Sequence, residues 1–536
     1  MSDGTELEIK FALPENRLFE LILQDPELLT LAQNPAPVTR SFEALYFDTP
    51  SFALQQNGFA FRVRQEGEDW VATVKNDRQA SGGLSEREEW NETVAGPELS
   101  HMPFTGTHVG ERLKNIIGRE KLHLLFSTRF SRTIIQLKTT AGTEIEMALD
   151  RGTIWSGLQG SPISELELEL KSGSVTELLK LSAGIAGRWH LLPELNSKFA
   201  RGLELINSNQ PGLPDLSREN NRPDADEPTS TSLINSCVAE LFAFQNRTLA
   251  NNAAPDSVRE LRIQFRRLRS LIKFCHPTQI KNNGKLHMDR LRQWGLLLGS
   301  IRDIDVLTAA WGKFTLHFSP VYSTSTHWQE GIRERREFLA ENVIHRIRQG
   351  EITQLLLELQ GWMYQEQEKQ SLLEEGESFG LKVQKSLTQD IKKLRDDIRA
   401  VSEIIDMKTL HRVRIRAKQI RYIQESLNHF SRYHDDEFVA CIKKIQSHLG
   451  KIQDTCQIKS LFDQFDAGKI DEKFALEKEL FIGWRSCDML EYFSTLPRVV
   501  ADFRRAAKQR LRSLAAIRTS RRTKAGQNAG AHEPVK

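Results

Sequence analysis

Glu6-Leu7-Glu8-Ile9-Lys10 sets two carboxylates and an ammonium at strict alternation. In a strand, alternate side chains share a face, so Glu6, Glu8 and Lys10 point one way and Leu7, Ile9 and Phe11 the other. Two neighbouring carboxylates repel unless something cationic lies between them. A hard divalent ion suits them best, because it takes oxygen ligands and shares them with phosphates. By itself the alternation also describes an ordinary half-solvated strand. It recurs, however. Arg62 and Arg64 flank Val63, and Thr73 and Lys75 flank Val74; Arg87 and Glu89 follow, then Glu144, Glu146 and Asp150, then Glu165, Glu167, Glu169 and Lys171. Some of these segments carry only bases and others mostly acids. A solvated face needs no such sorting. A closed barrel whose lumen takes a metal and a polyanion does, with its apolar face packed outward under helices.

The chain has 536 residues, which suggests two to four domains. A net charge of +3 argues against whole-chain nucleic-acid binding. The five cysteines are scattered, with no CxxC pair and no His/Cys metal spacing, so they read as thiols of a reducing compartment. The N-terminus lacks a signal-peptide pattern and no run of 18 apolar residues occurs, so no membrane partner is expected and the cytoplasm is the expected location. Residues 208–230 are rich in Pro, Asn, Asp and Ser and read as a linker. Strand patterns dominate before it. Long amphipathic helices with few Gly or Pro dominate from 231 to 515, and residues 516–536 read as a disordered tail, basic at first.

The first part resembles the CYTH domain of the triphosphate tunnel metalloenzymes. The matching pieces are ELEIK (6–10), YFDTP (46–50), FRVRQEG (61–67), WVATVK (70–75), SEREEW (85–90), STRFSR (127–132), IEMALDRG (145–152), ELELELKSG (165–173) and LNSKFARG (195–202). They lie in the family's order over residues 1–207. The resemblance implies an eight-stranded antiparallel tunnel with flanking helices that hydrolyses a triphosphate with Mg²⁺ or Mn²⁺. In one departure Asn91 stands where a second acid after Glu89 is expected.

The expected roles follow. Glu6, Glu8 and Lys10 are the catalytic set. Glu6, Glu8, Glu167 and Glu169 are metal ligands, with Glu165, Glu89 and Asp150 behind them. Lys10, Arg62, Arg64, Lys75, Arg87 and Arg129 bind the anion, and the resemblance adds Arg132 and Lys198. Arginine suits bidentate phosphate contact and lysine a point charge. His101, His108 and His123 read as surface or packing residues. Trp70, Trp90 and Trp155 read as outer-face packing, and no aromatic is assigned to the lumen.

The helical part repeats itself. At an offset of 152, Arg259 falls on His411, Arg262 on Arg414, Arg266 on Lys418 and Arg269 on Arg421. Leu298-Gly299-Ser300-Ile301-Arg302-Asp303 likewise aligns with Leu449-Gly450-Lys451-Ile452-Gln453-Asp454. An all-α bundle with an internal two-fold repeat is expected. Arg262, Arg266, Arg269 and, in the second copy, His411, Arg414, Lys418 and Arg421 form single-sign helix stripes. Such stripes give up the ~0.2–0.5 kcal/mol of mixed-sign i,i+4 pairing, so a polyanion is the natural counter-charge. This part resembles the CHAD domain, a helical module associated with polyphosphate, through VRELRIQFRRLR, LGSIRDIDVL, LHRVRIRAKQIRY and LGKIQD. Arg259 replaces the histidine usual there; His411 keeps it in the second copy.

The whole reads as an α+β chain, a tunnel then a bundle, that hydrolyses inorganic triphosphate and binds polyphosphate. The alternatives are a thiamine triphosphatase or a nucleoside or RNA triphosphatase in the same tunnel, or a non-enzymatic polyphosphate-binding scaffold. Nucleic acid is not an expected partner, since the basic stripes lack interleaved aromatics.

Overall fold

The first part of the chain forms ten strands: β1 (Gly4–Ala12), β2 (Val38–Asp48), β3 (Phe59–Glu66), β4 (Asp69–Asn76), β5 (Ala80–Ser81), β6 (Leu84–Val94), β7 (His123–Lys138), β8 (Glu144–Ser156), β9 (Gln159–Ser172) and β10 (Leu192–Pro193). The structure, a computed structural model, describes residues 4–33, 36–76, 80–81, 83–98, 103–209, 228–318, 327–371, 379–403, 407–465 and 472–529. The strand order β1-β9-β8-β7-β2-β3-β4-β6 returns to β1, because β1 pairs with both β9 and β6. Eight antiparallel strands therefore close into a barrel, and the two-residue β5 and β10 sit at its margins.

The period-2 pattern sorts side chains as expected. Phe59, Phe61 and Val63 of β3 and Ala72 and Val74 of β4 point outward. They pack under α3 (Ala53–Gln56) and α4 (His108–Ile117) together with Leu54, Val109 and Leu113. Trp70 and Trp90 join this outer cluster. Two short helices, α1 (Arg17–Leu23) and α2 (Pro26–Leu31), precede β2; Asp25 caps α2 and is gripped by Arg188 at 2.5 Å. After the sheet come α5 (Val175–Trp189) and α6 (Lys198–Asn209). Phe199, Leu203 and Ile206 of α6 enter the barrel's inner cluster beside Tyr46, Phe126, Phe130, Ile154 and Ile163. Only glycine fits at 202, because any Cβ there would lie 2.2 Å from the Phe126 ring.

The rest is helical: α7 (Ser230–Ala250), α8 (Pro255–Cys275), α9 (Pro277–Gln279), α10 (Lys285–Phe318), α11 (His327–Arg348), α12 (Glu351–Ser371), α13 (Phe379–Glu403), α14 (Met407–Leu427), α15 (Asp436–Phe465) and α16 (Glu472–Ala529). The expected division at 207 and 231 differs from the packing. The described residues of 1–222, 238–246 and 345–372 form one compact unit, and those of 223–237, 247–344 and 373–536 the other. The reason is local. α12 lies along α5, and His190 Nδ1 is 3.1 Å from the Gln349 carbonyl. Gly350, at φ +70°, lets the chain pass within contact of Ala186 and His190. Most of the expected linker lies outside the described residues. The tail expected to be disordered instead continues α16 as far as Ala529, through a stretch with three Arg and three Ala and no proline.

In the second unit α8 buries Leu261, Phe265, Leu268 and Ile272, the apolar stripe opposite its bases. An aromatic cluster of Trp311, Phe314, Phe462, Phe474 and Phe481 fills the space among α10, α15 and α16.

Candidate active site

Strand parity decides which side chains meet inside the barrel. A cavity of about 400 Å³ is lined by six carboxylates (Glu6, Glu8, Glu89, Glu146, Glu167 and Glu169) and by eight bases (Lys10, Arg62, Arg64, Lys75, Arg87, Arg132, Lys171 and Lys198). Register builds the acidic side. Glu8 of β1 lies opposite Glu169 of β9, which lies opposite Glu146 of β8. One row deeper, Lys10 faces Glu167, and in the next row Arg132, Asp150 and Glu165 face one another across β7, β8 and β9.

In this arrangement the charges answer each other. Lys75 Nζ is 2.6 Å from Glu6 and 2.8 Å from Glu89. Lys10 Nζ is 3.2 Å from Glu8 and 2.9 Å from Glu167, and Arg87 is 3.6 Å from Glu8. Lys198 Nζ, at the start of α6, is 2.7 Å from Asp150 and 3.1 Å from Glu167 and bonds Glu165 as well. Arg62 makes a long pair, 3.9 Å, with Glu89 and a hydrogen bond with Tyr46 across the sheet.

The protonation states follow. Burial pushes the Glu6 carboxyl up, but Lys75 and then Lys10 outweigh it and hold the group below its usual range. Burial would discharge Lys10, yet Glu167 and Glu8 keep its ammonium charged well past the usual pH, and Asp150, Glu165 and Glu167 do the same for Lys198. Glu169 goes the other way. Burial, then the neighbouring Glu6 and Glu146, push it up to about 7 against the pull of Lys171.

Two carboxylate groups are candidates for a cation. Asp150, Glu165 and Glu167 offer oxygens within 4.8 Å of one another. Their charge is already met by Lys198, by Arg132, and by Arg201 at 3.2 Å from Glu165. Glu165 is 1% exposed and does not line the cavity. Glu6, Glu8, Glu146 and Glu169 fit an ion better: they line the cavity, and burial with the neighbouring Glu6 pushes the Glu169 carboxyl up even though Lys171 lies 2.6 Å from it.

The structure brings Glu6, Glu8, Lys10, Arg62, Arg64, Lys75, Arg87, Glu167, Glu169 and Lys198 to one cavity. Arg129, expected with them, is outside. It stands an odd number of residues from Arg132, so parity turns it to the outer face, where its side chain is 70% exposed and pairs with Glu43 at 3.0 Å. Glu146 and Lys171 belong to the site although no role was expected of them. The signal was available, because Glu146 shares parity with Asp150 and Lys171 with Glu169. The lumen also holds aromatics, contrary to expectation. Tyr46, Phe130 and Phe199 line the cavity, and Tyr46 stacks on Phe126 at 4.6 Å.

In the helical unit the basic stripes of α8 and α14 lie side by side, with Arg267 Nε donating to Ser426 Oγ at 3.0 Å. Arg262 lies over Gly299 of α10, where a Cβ would be 3.5 Å from its Nε; Arg414 lies over Gly450 of α15, where a Cβ would be 3.3 Å from Nη2. The Nε atoms of Arg262, Arg269, Arg414 and Arg421 are buried without a hydrogen-bond partner among the described residues. Burial, then Arg266, Arg414 and Arg262, push the Lys418 ammonium down to about 6. The stripes are not wholly unanswered: Arg414 is 3.1 Å from Asp454, Arg421 is 3.6 Å from Glu425, and His411 Nδ1 meets Gln453 at 2.5 Å.

The sequence pattern of the CYTH domain matches residues 4–201, and that of the CHAD domain matches residues 232–462. The chain carries a CYTH domain and a CHAD domain. An inorganic triphosphatase of Haemophilus influenzae is 34% identical over 134 residues, which is 25% of this chain and 37% of that protein. The match thus spans little more than a third of the curated relative. A Hippeastrum protein, described as an adenylyl cyclase candidate with a dominant triphosphatase activity, is 22% identical over 40% of this chain and 99% of its own, with a TM-score of 0.29. The CHAD domain of the plant Ricinus communis is 20% identical over 53% of this chain and 93% of its own, with a TM-score of 0.38.

Proposed function

We propose that the CYTH barrel hydrolyses inorganic triphosphate to diphosphate and phosphate with Mg²⁺ or Mn²⁺ bound, and that the CHAD unit binds polyphosphate. One observation carries the first part: a single cavity of about 400 Å³ is lined by six carboxylates and by a larger number of bases, eight. A site for an anion alone needs no carboxylates, and a site for a metal alone needs no arginines.

Phosphoryl transfer is mainly a matter of positioning and charge neutralisation. Without substrate, Lys10, Lys75 and Arg87 are held by Glu8, Glu167, Glu6 and Glu89. Triphosphate takes over those bases, and Arg62, whose carboxylate pair is long, turns to a phosphate as well. The freed Glu6 and Glu8, with Glu146 and Glu169, would hold the divalent ion, which supplies Lewis-acid neutralisation of phosphate oxygens and a lowered water pKa. Water oxygen bonds to a terminal phosphorus, the bridging P–O bond breaks with its electrons going to diphosphate, and the proton lost by water passes to solvent. Lys198, fixed among three carboxylates, sets the base of the cavity and keeps α6 seated.

The aromatics Tyr46, Phe130 and Phe199 at the cavity wall favour one other reading, an organic triphosphate such as thiamine triphosphate or a nucleotide. Phosphate release from triphosphate, ATP, thiamine triphosphate and long polyphosphate, each with Mg²⁺ and with EDTA, separates the two. Fastest release from inorganic triphosphate, abolished by EDTA, is expected. Release from none of the four would leave the non-enzymatic scaffold reading.

A further inference from the structure

Asn91 sits on the cavity wall at the lumen-facing position after Ser85, Arg87 and Glu89 of β6. Across the sheet it lies opposite Thr73 of β4, which lies opposite Arg62 of β3. Thr73 is fully buried, and its hydroxyl donates to Asn91 Oδ1 at 2.7 Å. That bond uses the amide oxygen and leaves the Nδ2 hydrogens, two donors, without a partner among the described residues. An amide held this way keeps one oxygen lone pair, but it presents two N–H donors that a cavity anion can use.

The surrounding charge supports this. Asn91 shares its row with Arg62, on the basic side, and not with the Glu8–Glu169–Glu146 row. A carboxylate at 91 would add a second acid beside the Glu89 that already reaches Arg62 at 3.9 Å and Lys75 at 2.8 Å. It would tie up the guanidinium that the phosphate needs. The amide leaves Arg62 available and adds donors of its own.

We propose that Asn91 is a substrate-binding residue that donates its amide N–H to a phosphate oxygen, and that Thr73 is its positioning residue. The inference rests on the triphosphatase reading and deepens it, because it makes position 91 a contact to the anion and not to the metal.

The test uses the full-length chain with Asn91→Asp, Asn91→Ala and Thr73→Val, each checked for a native circular-dichroism spectrum and melt. Two quantities are read: the triphosphate KM with Mg²⁺ saturating, and Mn²⁺ affinity by electron paramagnetic resonance with no phosphate present. Removing a hydrogen bond to a charged partner predicts that Asn91→Ala raises KM about 10- to 100-fold. Asn91→Asp raises it further, by placing a charge against the anion, and Thr73→Val raises it several-fold by freeing the amide to rotate. Mn²⁺ affinity stays at the wild-type value in all three. If Asn91→Asp instead tightens Mn²⁺, Asn91→Ala weakens it and KM holds, Oδ1 is a metal contact and the proposal is overturned while the triphosphatase reading stands. A wild-type chain that neither binds tripolyphosphate by calorimetry nor cleaves it overturns both.

Discussion

Lys198→Met removes one ammonium from among three buried carboxylates while keeping most of the side-chain stem. In the native chain Nζ is 2.7 Å from Asp150, 3.1 Å from Glu167 and bonded to Glu165, and its side chain is 7% exposed. Arg132 still serves Asp150 and Glu167, Lys10 still serves Glu167, and Arg201 still serves Glu165, so the buried acids keep other partners but lose the ammonium that all three share. Breaking a buried pair by removing one partner costs about 3–5 kcal/mol. For a body of ~200 residues that lowers Tm by roughly 6–20 °C, at ~2–4 °C per kcal/mol. Glu165 is the group most ready to take up a proton, because burial already pushes its carboxyl above the ordinary range despite Lys198. Without Lys198 its pKa rises further. The unfolded chain then has the lower pKa, so the variant loses stability as pH rises through neutrality and recovers part of it toward pH 5. Adding Glu165→Gln should restore most of the loss at pH 7.5. Differential scanning calorimetry of wild type, single and double variants from pH 5 to 8 reads all of this. A single variant melting within about 2 °C of wild type at pH 7.5, or a double variant no better than the single, would refute the claim that Lys198 is the shared counter-ion of a buried acid group.

Three further outcomes are expected. Glu6→Gln or Glu8→Gln should slow triphosphate turnover about 100-fold, equivalent to ~3 kcal/mol of transition-state stabilisation, when assayed at a temperature where circular dichroism shows the variant folded; full activity in either would remove these carboxylates from the chemistry. Arg62→Ala should raise the triphosphate KM, whereas Arg129→Ala should change neither KM nor kcat, since Arg129 lies on the outer face against Glu43. Lys418, pushed down to about 6, is mostly neutral at pH 7.5, so polyphosphate binding should draw a proton onto it and weaken as pH rises from 6 to 8. Calorimetry in two buffers of different ionisation enthalpy counts that proton, and equal heats in both, or the same uptake in Lys418→Met, would contradict the assignment.

The alternation of charge with Leu, Ile, Val and Phe carried the barrel, its outward apolar face and most of the cavity, because period-2 parity is a local property. Arg129 shows where the same rule was not applied: Arg129 and Arg132 cannot share a face of one regular strand, and only the second is inside. Tyr46 was missed because an apolar-rich stretch, Leu45-Tyr46-Phe47, gives no parity signal; Phe47 packs outward and Tyr46 inward. Phe199 entered the lumen by another route, on a helix, and the fit of α6 inside the barrel depends on Gly202 meeting Phe126, a contact between residues far apart in sequence. The assignment of α12 to the barrel unit was likewise out of reach, since an amphipathic stripe says that a face is buried and not which body buries it.

The closure of the barrel by β1 has a consequence for how the chain is made. β1 ends at Ala12, and its partner β9 begins at Gln159. At ~5–20 residues per second of synthesis, β1 waits on the order of 10–30 s on the ribosome with one edge unpaired. An exposed strand edge is a template for pairing with other chains, and charges along it are what discourage that. Glu6, Glu8 and Lys10 supply those charges during the wait. The carboxylates assigned here to chemistry would then also guard the nascent strand, and neutral substitutions at Glu6 and Glu8 should lower the soluble yield from cells at expression temperatures where the purified variants remain folded.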